Sequence, residues 1–95
     1  MSKMKEKQSI PKWFKGEIYD KGEVVTNPFS GETYELNNIE LSIYDFVIGS
    51  SRTLEYFFDT KQEPNNRTEE ITKDLHKGLD WFKKNNVEAY MVLLD

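Results

Sequence analysis

The fold is decided by the stretch Leu36-Asn-Asn-Ile-Glu-Leu-Ser-Ile-Tyr-Asp-Phe-Val-Ile48. Asn37, followed three residues later by Glu40, has the pattern of a capping box, in which each side chain accepts the other residue's backbone amide at a helix start. Leu36 and Leu41 occupy the flanking positions of a hydrophobic staple, which fixes the direction of the entering chain. The sequence therefore predicts a helix that begins directly after Asn37.

Apolar residues continue at helical spacing and predict one long helix from about Asn38 to Phe58, with a bend near Gly49. The stripe suited to face a core consists of Ile39, Ile43, Phe46, Val47, Leu54 and Phe57. A second stripe on the opposite side consists of Leu41, Tyr44 and Ile48. A helix that is apolar on two faces needs a second cover. The two candidate covers are the C-terminal segment and a second copy of the chain, which would form an isologous homodimer.

Upstream of this helix, residues 16–36 are predicted to form a small antiparallel hairpin or meander. The expected strands are residues 18–19, 24–26 and 33–36. Their β-branched and aromatic residues favour strands, and Gly22 provides the freedom that a tight turn with a positive φ needs. Tyr34 and Leu36 would share one face. Because such a ribbon is not stable alone, it must pack on the helices.

The loop Asn27-Pro-Phe-Ser-Gly31 joins the last two of these strands. Asn27 can form an Asx turn, Pro28 fixes φ, and Gly31 permits a left-handed exit. Phe29 is an apolar residue within a turn, which leaves two interpretations open. We expect its ring to fold back and cover the core, and the alternative is an exposed anchor for a partner.

A second amphipathic helix is predicted to start near Asn66 or Thr68, after a polar loop at residues 61–66. Its core face consists of Ile71, Leu75, Leu79 and Phe82, with Gly78 beside them. Asn85 followed by Glu88 resembles another capping box. We therefore predict a short C-terminal helix at residues 87–94, although its β-branched and aromatic content also suits a strand.

Length and composition indicate one α+β domain, expected at residues 12–95 of the 95-residue chain. The hydrophobic share of 37% is low for a globular protein, but aromatic residues at 14% can close a small core. The absence of cysteine excludes disulfides and thiolate metal sites. No apolar run approaches the ~18 residues of a membrane span, and the first residues lack a signal-peptide pattern. We therefore expect a soluble protein of the cytoplasm.

Residues 1–11 are predicted to form a flexible basic arm. Residues 1–15 contain five lysines and one glutamate, whereas the remaining chain has sixteen acidic side chains and eight basic ones. We expect the arm to act as a solvated, solubilising terminus. The alternative is an arm that contacts nucleic-acid phosphates or an acidic partner, with Trp13 and Phe14 as anchors. The acidic body would repel nucleic acid and argues against this alternative.

The sequence contains no arrangement typical of a catalytic or metal site. His76 is the only histidine, and lysines near it on the polar side of a helix favour a solvated side chain. Glu70 and Asp74 are four residues apart and could together contact Mg²⁺ or Ca²⁺, but such a pair is far more often a solvated acidic edge. No glycine-rich phosphate loop or nucleophile elbow is present. We expect no enzyme activity, no cofactor and no metal.

Two stretches together resemble a known group of proteins. They are Lys21-Gly-Glu-Val-Val-Thr-Asn-Pro-Phe-Ser-Gly-Glu-Thr-Tyr-Glu-Leu-Asn37, continuing to Gly49, and Gly78-Leu-Asp-Trp-Phe-Lys-Lys-Asn-Asn-Val-Glu-Ala-Tyr-Met-Val-Leu-Leu-Asp95. They are similar to small uncharacterised proteins of tailed bacteriophages, especially phages of marine bacteria and cyanobacteria. The resemblance implies a viral accessory or virion-associated protein, in the host cytoplasm or on the virion, and no particular activity.

These observations predict a non-catalytic interaction protein that binds a host or viral protein. The candidate partner-binding residues are Trp13, Phe14, Phe29, Leu41, Tyr44 and Ile48. The alternative functions are a nucleic-acid-associated protein that uses the lysine-rich arm and a small enzyme with a carboxylate-held metal. No membrane contact is expected.

Overall fold

The computed structural model describes residues 9–61 and 63–94. In chain order its elements are β1 (Glu23–Thr26), β2 (Thr33–Leu36), α1 (Asn38–Asp59), α2 (Asn66–Asn85) and α3 (Val87–Ala89), and α3 runs on into a π-helical turn at Tyr90–Leu94. The predicted α+β class is confirmed, with a hairpin, a long helix, a second helix and a short C-terminal helix in that order. Residues 1–8 of the predicted arm lie outside the described residues.

The two strands form an antiparallel hairpin, in which Glu23 pairs with Leu36 and Thr26 pairs with Thr33. On β2 the side chain of Leu36 is fully buried and that of Tyr34 is half-buried, while their neighbours are exposed. The predicted shared face of these two residues is therefore confirmed. The connecting loop ends at Gly31, whose φ of 79° is the predicted left-handed exit.

The predicted first strand at residues 18–19 is wrong, because the backbone of Tyr19 is bound by α1 instead. The Tyr19 amide donates to Ser42 Oγ at 2.9 Å, and Asn38 Nδ2 donates to the Tyr19 carbonyl at 3.2 Å. Gly22 is not in the left-handed region, so the predicted turn with a positive φ at this glycine is wrong. A Cβ atom at position 22 would lie 2.0 Å from the Leu36 carbonyl oxygen, so close approach to β2 requires the glycine.

The capping box at the start of α1 is present as predicted. Asn37 Oδ1 accepts the Glu40 amide at 2.8 Å, and Glu40 Oε1 accepts the Asn37 amide at 2.9 Å. The helix then continues through Gly49 to Asp59. Its buried apolar residues are Leu41, Ile43, Val47 and Leu54. The first predicted stripe supplies three of these four, and Leu41 comes from the second stripe.

α2 lies against α1 and begins at Asn66, the first of the two predicted starts, with Asn65 as the cap and Thr68 completing its capping box. The two helices approach each other closely at Gly78, because a Cβ atom there would lie 2.4 Å from Val47 Cγ2. Phe82 is fully buried and Trp81 is 8% exposed, so the core face of α2 is wider than the predicted stripe.

The C-terminal helix is capped by Asn86 rather than by Asn85 as predicted. Asn86 Oδ1 accepts the Ala89 amide at 3.2 Å, while its Nδ2 donates to Glu40 Oε2 at 2.8 Å. Both Asn86 and Glu40 are buried, at 2% and 0% exposure. Asn86 is therefore the cap because a partner on α1, distant in sequence, fixes its side chain.

Tyr19 is attached to α1 a second time through its hydroxyl group, which donates to Asp45 Oδ2. This hydrogen bond, aided by burial and by the charges of Asp45, Glu17 and Glu23, raises the pKa of Tyr19 from 10.0 to about 12. The folded-state pKa lies above the unfolded one, so the stabilisation is complete below pH 10.0 and is lost as the pH rises through about 12.

Asp45→Asn is therefore expected to lower the pKa of Tyr19 toward its ordinary value, because the amide keeps an acceptor but removes the negative charge. An alkaline titration followed by the NMR shift of the tyrosine Cζ carbons measures this pKa, and Tyr19→Phe identifies the signal. A Tyr19 pKa that is the same in wild type and Asp45→Asn would contradict the assignment of Asp45 as the cause.

Candidate functional site

An apolar groove of about 330 Å³ lies where the hairpin loop, both long helices and the C-terminal segment meet. Its lining consists of Asn27, Pro28, Phe29, Tyr44, Val47, Ile48, Ser51, Leu75, Leu79, Leu93 and Leu94, and these residues define the groove. None of them carries a charge, and the volume is within the range of small ligand sites. The groove is therefore suited to apolar groups such as side chains of a partner protein.

Helical spacing places the lining side chains together. Tyr44, Ile48 and Ser51 are four and three residues apart and lie on one face of α1. Leu75 and Leu79 are one turn apart on α2. Burial raises the pKa of Tyr44, with a smaller contribution from the charge of Asp45. The phenol therefore stays protonated at neutral pH.

Phe29 lies at the rim of the groove and is 96% exposed. The expectation that its ring folds back onto the core is therefore wrong. Asn27 Oδ1 accepts the amides of Phe29 at 2.8 Å and of Ser30 at 3.3 Å, so an Asx turn fixes the loop backbone and leaves the ring outside. The ring is therefore exposed, and its role as an anchor for a partner stays a prediction.

The second apolar stripe of α1 is divided between the core and the groove. Leu41 is 8% exposed and belongs to the core. Tyr44 and Ile48 are half-buried and line the groove together with Leu93 and Leu94. The C-terminal segment, one of the two predicted covers, thus lies beside this stripe.

Trp13 and Phe14 lie apart from the groove, in an aromatic cluster with Phe46. The ring centroids of Phe14 and Phe46 are 5.3 Å apart in an edge-to-face arrangement, and those of Trp13 and Phe46 are 6.0 Å apart. Both residues are half-buried. Next to them, Lys15 Nζ lies 3.6 Å from Asp74 Oδ2. Residues 13–15 therefore contact both long helices, α1 through Phe46 and α2 through Asp74.

The remaining candidate groups do not converge. His76 and Glu70 are exposed, and Asp74 pairs with Lys15. Within residues 9–61 and 63–94, no three histidine or carboxylate side chains are placed to hold a metal ion. In the same part of the chain, no helix has the length and apolar character to cross a membrane.

Comparison of the chain with protein-family models, curated proteins and solved structures gave no match. The functional interpretation therefore rests on the residues of this chain. Of the six predicted partner-binding residues, three lie in or at the groove, namely Phe29, Tyr44 and Ile48.

Several features of the groove have no signal in the local sequence. Leu75 and Leu79 were assigned to a core face, and their contribution to the groove depends on how α2 crosses α1. The hydrogen bond from Asn27 Nδ2 to the Val92 carbonyl, at 2.9 Å, joins residues 65 positions apart. A composition or periodicity argument does not detect a contact of this kind.

Proposed function

We propose that the chain is a non-catalytic interaction protein, which binds an apolar segment of another protein in the groove and uses Phe29 as an anchor at the rim. The observation that carries this proposal is the 96% exposure of Phe29 beside an uncharged apolar groove. A few aromatic side chains that become fully buried in a pocket of the partner dominate the binding energy of many interfaces. Exposed loops held by a rigid scaffold are also frequent binding sites.

The chemistry of the lining supports binding rather than catalysis. The polar side chains among the lining residues are Asn27, Tyr44 and Ser51, and none of the lining residues is a histidine, cysteine, lysine or carboxylate. Of the groups that act as a general acid or base, the lining contains only the Tyr44 phenol, and burial raises the pKa of this phenol still further above neutral pH. These three polar groups are suited to orienting a bound segment by hydrogen bonds.

The resemblance to phage proteins favours a host or viral protein as the partner. The chain would then act as an accessory protein in the host cytoplasm or on the virion. A nucleic-acid function through the lysine-rich arm has less support, because Trp13 and Phe14 pack against Phe46 and Lys15 pairs with an acidic residue of α2.

Phe29→Ser is expected to weaken partner binding strongly without changing the stability of the fold, because the ring is exposed. Capture from a bacterial host lysate and mass spectrometry would identify the partner, and calorimetry with the purified partner would then measure Kd. Removal of an aromatic anchor that is buried in the complex costs about 2 kcal/mol or more, which corresponds to roughly a thirtyfold higher Kd.

Phe58→Ser is the matched control, since Phe58 is 61% exposed and does not line the groove. It should leave Kd unchanged. Equal affinity of wild type and Phe29→Ser would contradict the proposed role of the groove rim. Sedimentation of the protein alone tests for a second copy as the occupant, because a dimer that Phe29→Ser dissociates would replace the heterologous partner.

A further inference from the structure

The side chain of Asn27 forms hydrogen bonds in two directions at the edge of the groove. Its Oδ1 accepts the amides of Phe29 and Ser30, which fixes the loop at the rim. Its Nδ2 donates to the Val92 carbonyl oxygen at 2.9 Å. One carboxamide therefore joins the rim of the groove to the C-terminal segment, residues 86–94.

The C-terminal segment is attached again at its beginning. Asn86 is 2% exposed, and its Nδ2 donates to Glu40 Oε2 at 2.8 Å. Its Oδ1 accepts the Ala89 amide at 3.2 Å, and Ala89 itself is fully buried. Between the Asn86 and Asn27 attachments the backbone enters the π-helical turn Tyr90–Leu94, a geometry that occurs frequently at functional sites.

The C-terminal segment forms one side of the groove through Leu93 and Leu94. Val92 lies in the last turn of this segment, where backbone carbonyls lack partners within a helix. The Asn27 amide supplies such a partner from outside the helix. If this hydrogen bond opened, residues 92–94 would be held in place by the packing of Leu93 and its neighbours.

We propose that Asn27 is a latch that holds the C-terminal segment against the groove, and that an apolar partner segment enters when the hydrogen bond between Asn27 and Val92 opens. This inference rests on the proposed function of the groove. Asn86 is the fixed end of the movement, because its hydrogen bonds to Glu40 and Ala89 are buried. Leu93 is 7% exposed, so opening exposes apolar surface and the closed state is the more populated one.

Asn27→Asp separates the two functions of this side chain. The carboxylate keeps an acceptor for the Phe29 and Ser30 amides but has no hydrogen to donate to Val92. In the protein without any partner, amide hydrogen exchange of residues 90–94 is expected to become about three- to tenfold faster, the scale of losing one hydrogen bond. The exchange of Phe29 and Ser30 should stay unchanged. Asn27→Ala should accelerate amide exchange both in residues 90–94 and at Phe29 and Ser30.

Three results would overturn the latch. Unchanged exchange of residues 90–94 in Asn27→Asp would show that the hydrogen bond does not hold the segment. Acceleration to the same extent at Phe82 in α2 would show that the bond supports the whole fold. We expect Asn27→Asp to increase the fluorescence of 8-anilinonaphthalene-1-sulfonate, a probe of exposed apolar surface. Unchanged fluorescence would show that the movement of the C-terminal segment does not expose the groove.

These measurements also separate the latch from the proposed function. Hydrogen exchange is recorded without a partner, so it reports the latch whether or not a partner binds. If Phe29→Ser leaves partner affinity unchanged while Asn27→Asp accelerates residues 90–94, the proposed function fails and the latch stands as a property of the fold.

Discussion

Phe82→Ala is expected to lower the free energy of unfolding by about 3–5 kcal/mol. Phe82 is fully buried and lies in the same core cluster as Ile43, Val47 and Leu93. Its ring also contacts Trp81 edge-to-face, with centroids 5.1 Å apart. The loss combines the transfer free energy of the ring with the cavity left behind, because neighbours on three helical elements cannot all relax into the space.

A loss of this size is a large fraction of the ~5–15 kcal/mol that stabilises a typical domain. Urea denaturation followed by circular dichroism measures it, and the melting temperature should fall by roughly 4–8 °C for each kcal/mol. Phe58→Ala is the matched control, because Phe58 is 61% exposed, and a change within about 0.5 kcal/mol is expected. A loss below about 1 kcal/mol for Phe82→Ala would contradict its central place in the core.

Glu40→Ala is expected to cost about 2–4 kcal/mol, because it leaves two donors without their acceptor. Glu40 is fully buried. Its Oε1 accepts the Asn37 amide at the start of α1, and its Oε2 accepts Asn86 Nδ2 at the start of the C-terminal segment. The substitution therefore weakens two helix starts at once.

Glu40→Gln is the matched control, since it has the same shape and keeps one acceptor oxygen. Its amide group would face one of the two donors. Asn86 cannot turn its side chain over to compensate without losing the bond from the Ala89 amide. We therefore expect an intermediate loss for Glu40→Gln in urea denaturation. A Glu40→Ala protein as stable as wild type would show that these hydrogen bonds contribute nothing net.

The features that the sequence predicted correctly depend on neighbours a few residues apart. The capping box of Asn37 and Glu40, the left-handed Gly31 and the shared face of Tyr34 and Leu36 are all local patterns. Helical spacing likewise predicted both long helices, three of the four buried apolar residues of α1, and the burial of Phe82 in α2. All the residues that produce such a pattern lie within a few positions of one another in the sequence.

The errors arise where a partner distant in sequence decides the outcome. Tyr19 is not in a strand because Ser42 and Asn38 bind its backbone. Asn86 replaces Asn85 as the cap because Glu40 holds its side chain. Neither preference is visible in the local propensity of these residues, since the competing contacts exist only after the helices have packed.

The candidate site was predicted only in part. The second stripe of α1 indicated that Tyr44 and Ile48 need a cover, and both residues line the groove. The burial of Phe29 was predicted wrongly, because hydrophobicity alone cannot show that an Asx turn leaves the ring outside.

The close contact between Gly78 and Val47 makes the choice of residue at these two positions a joint one. A methyl group at position 78 would lie 2.4 Å from Val47 Cγ2, and the branched side chain of valine has little rotational freedom in a helix with which to move away. A homologous chain with alanine or serine at position 78 would therefore be expected to carry a smaller residue at position 47, or a wider spacing between the helices. We therefore expect the residues at positions 47 and 78 to covary among related sequences, because together they determine how closely the two helices pack.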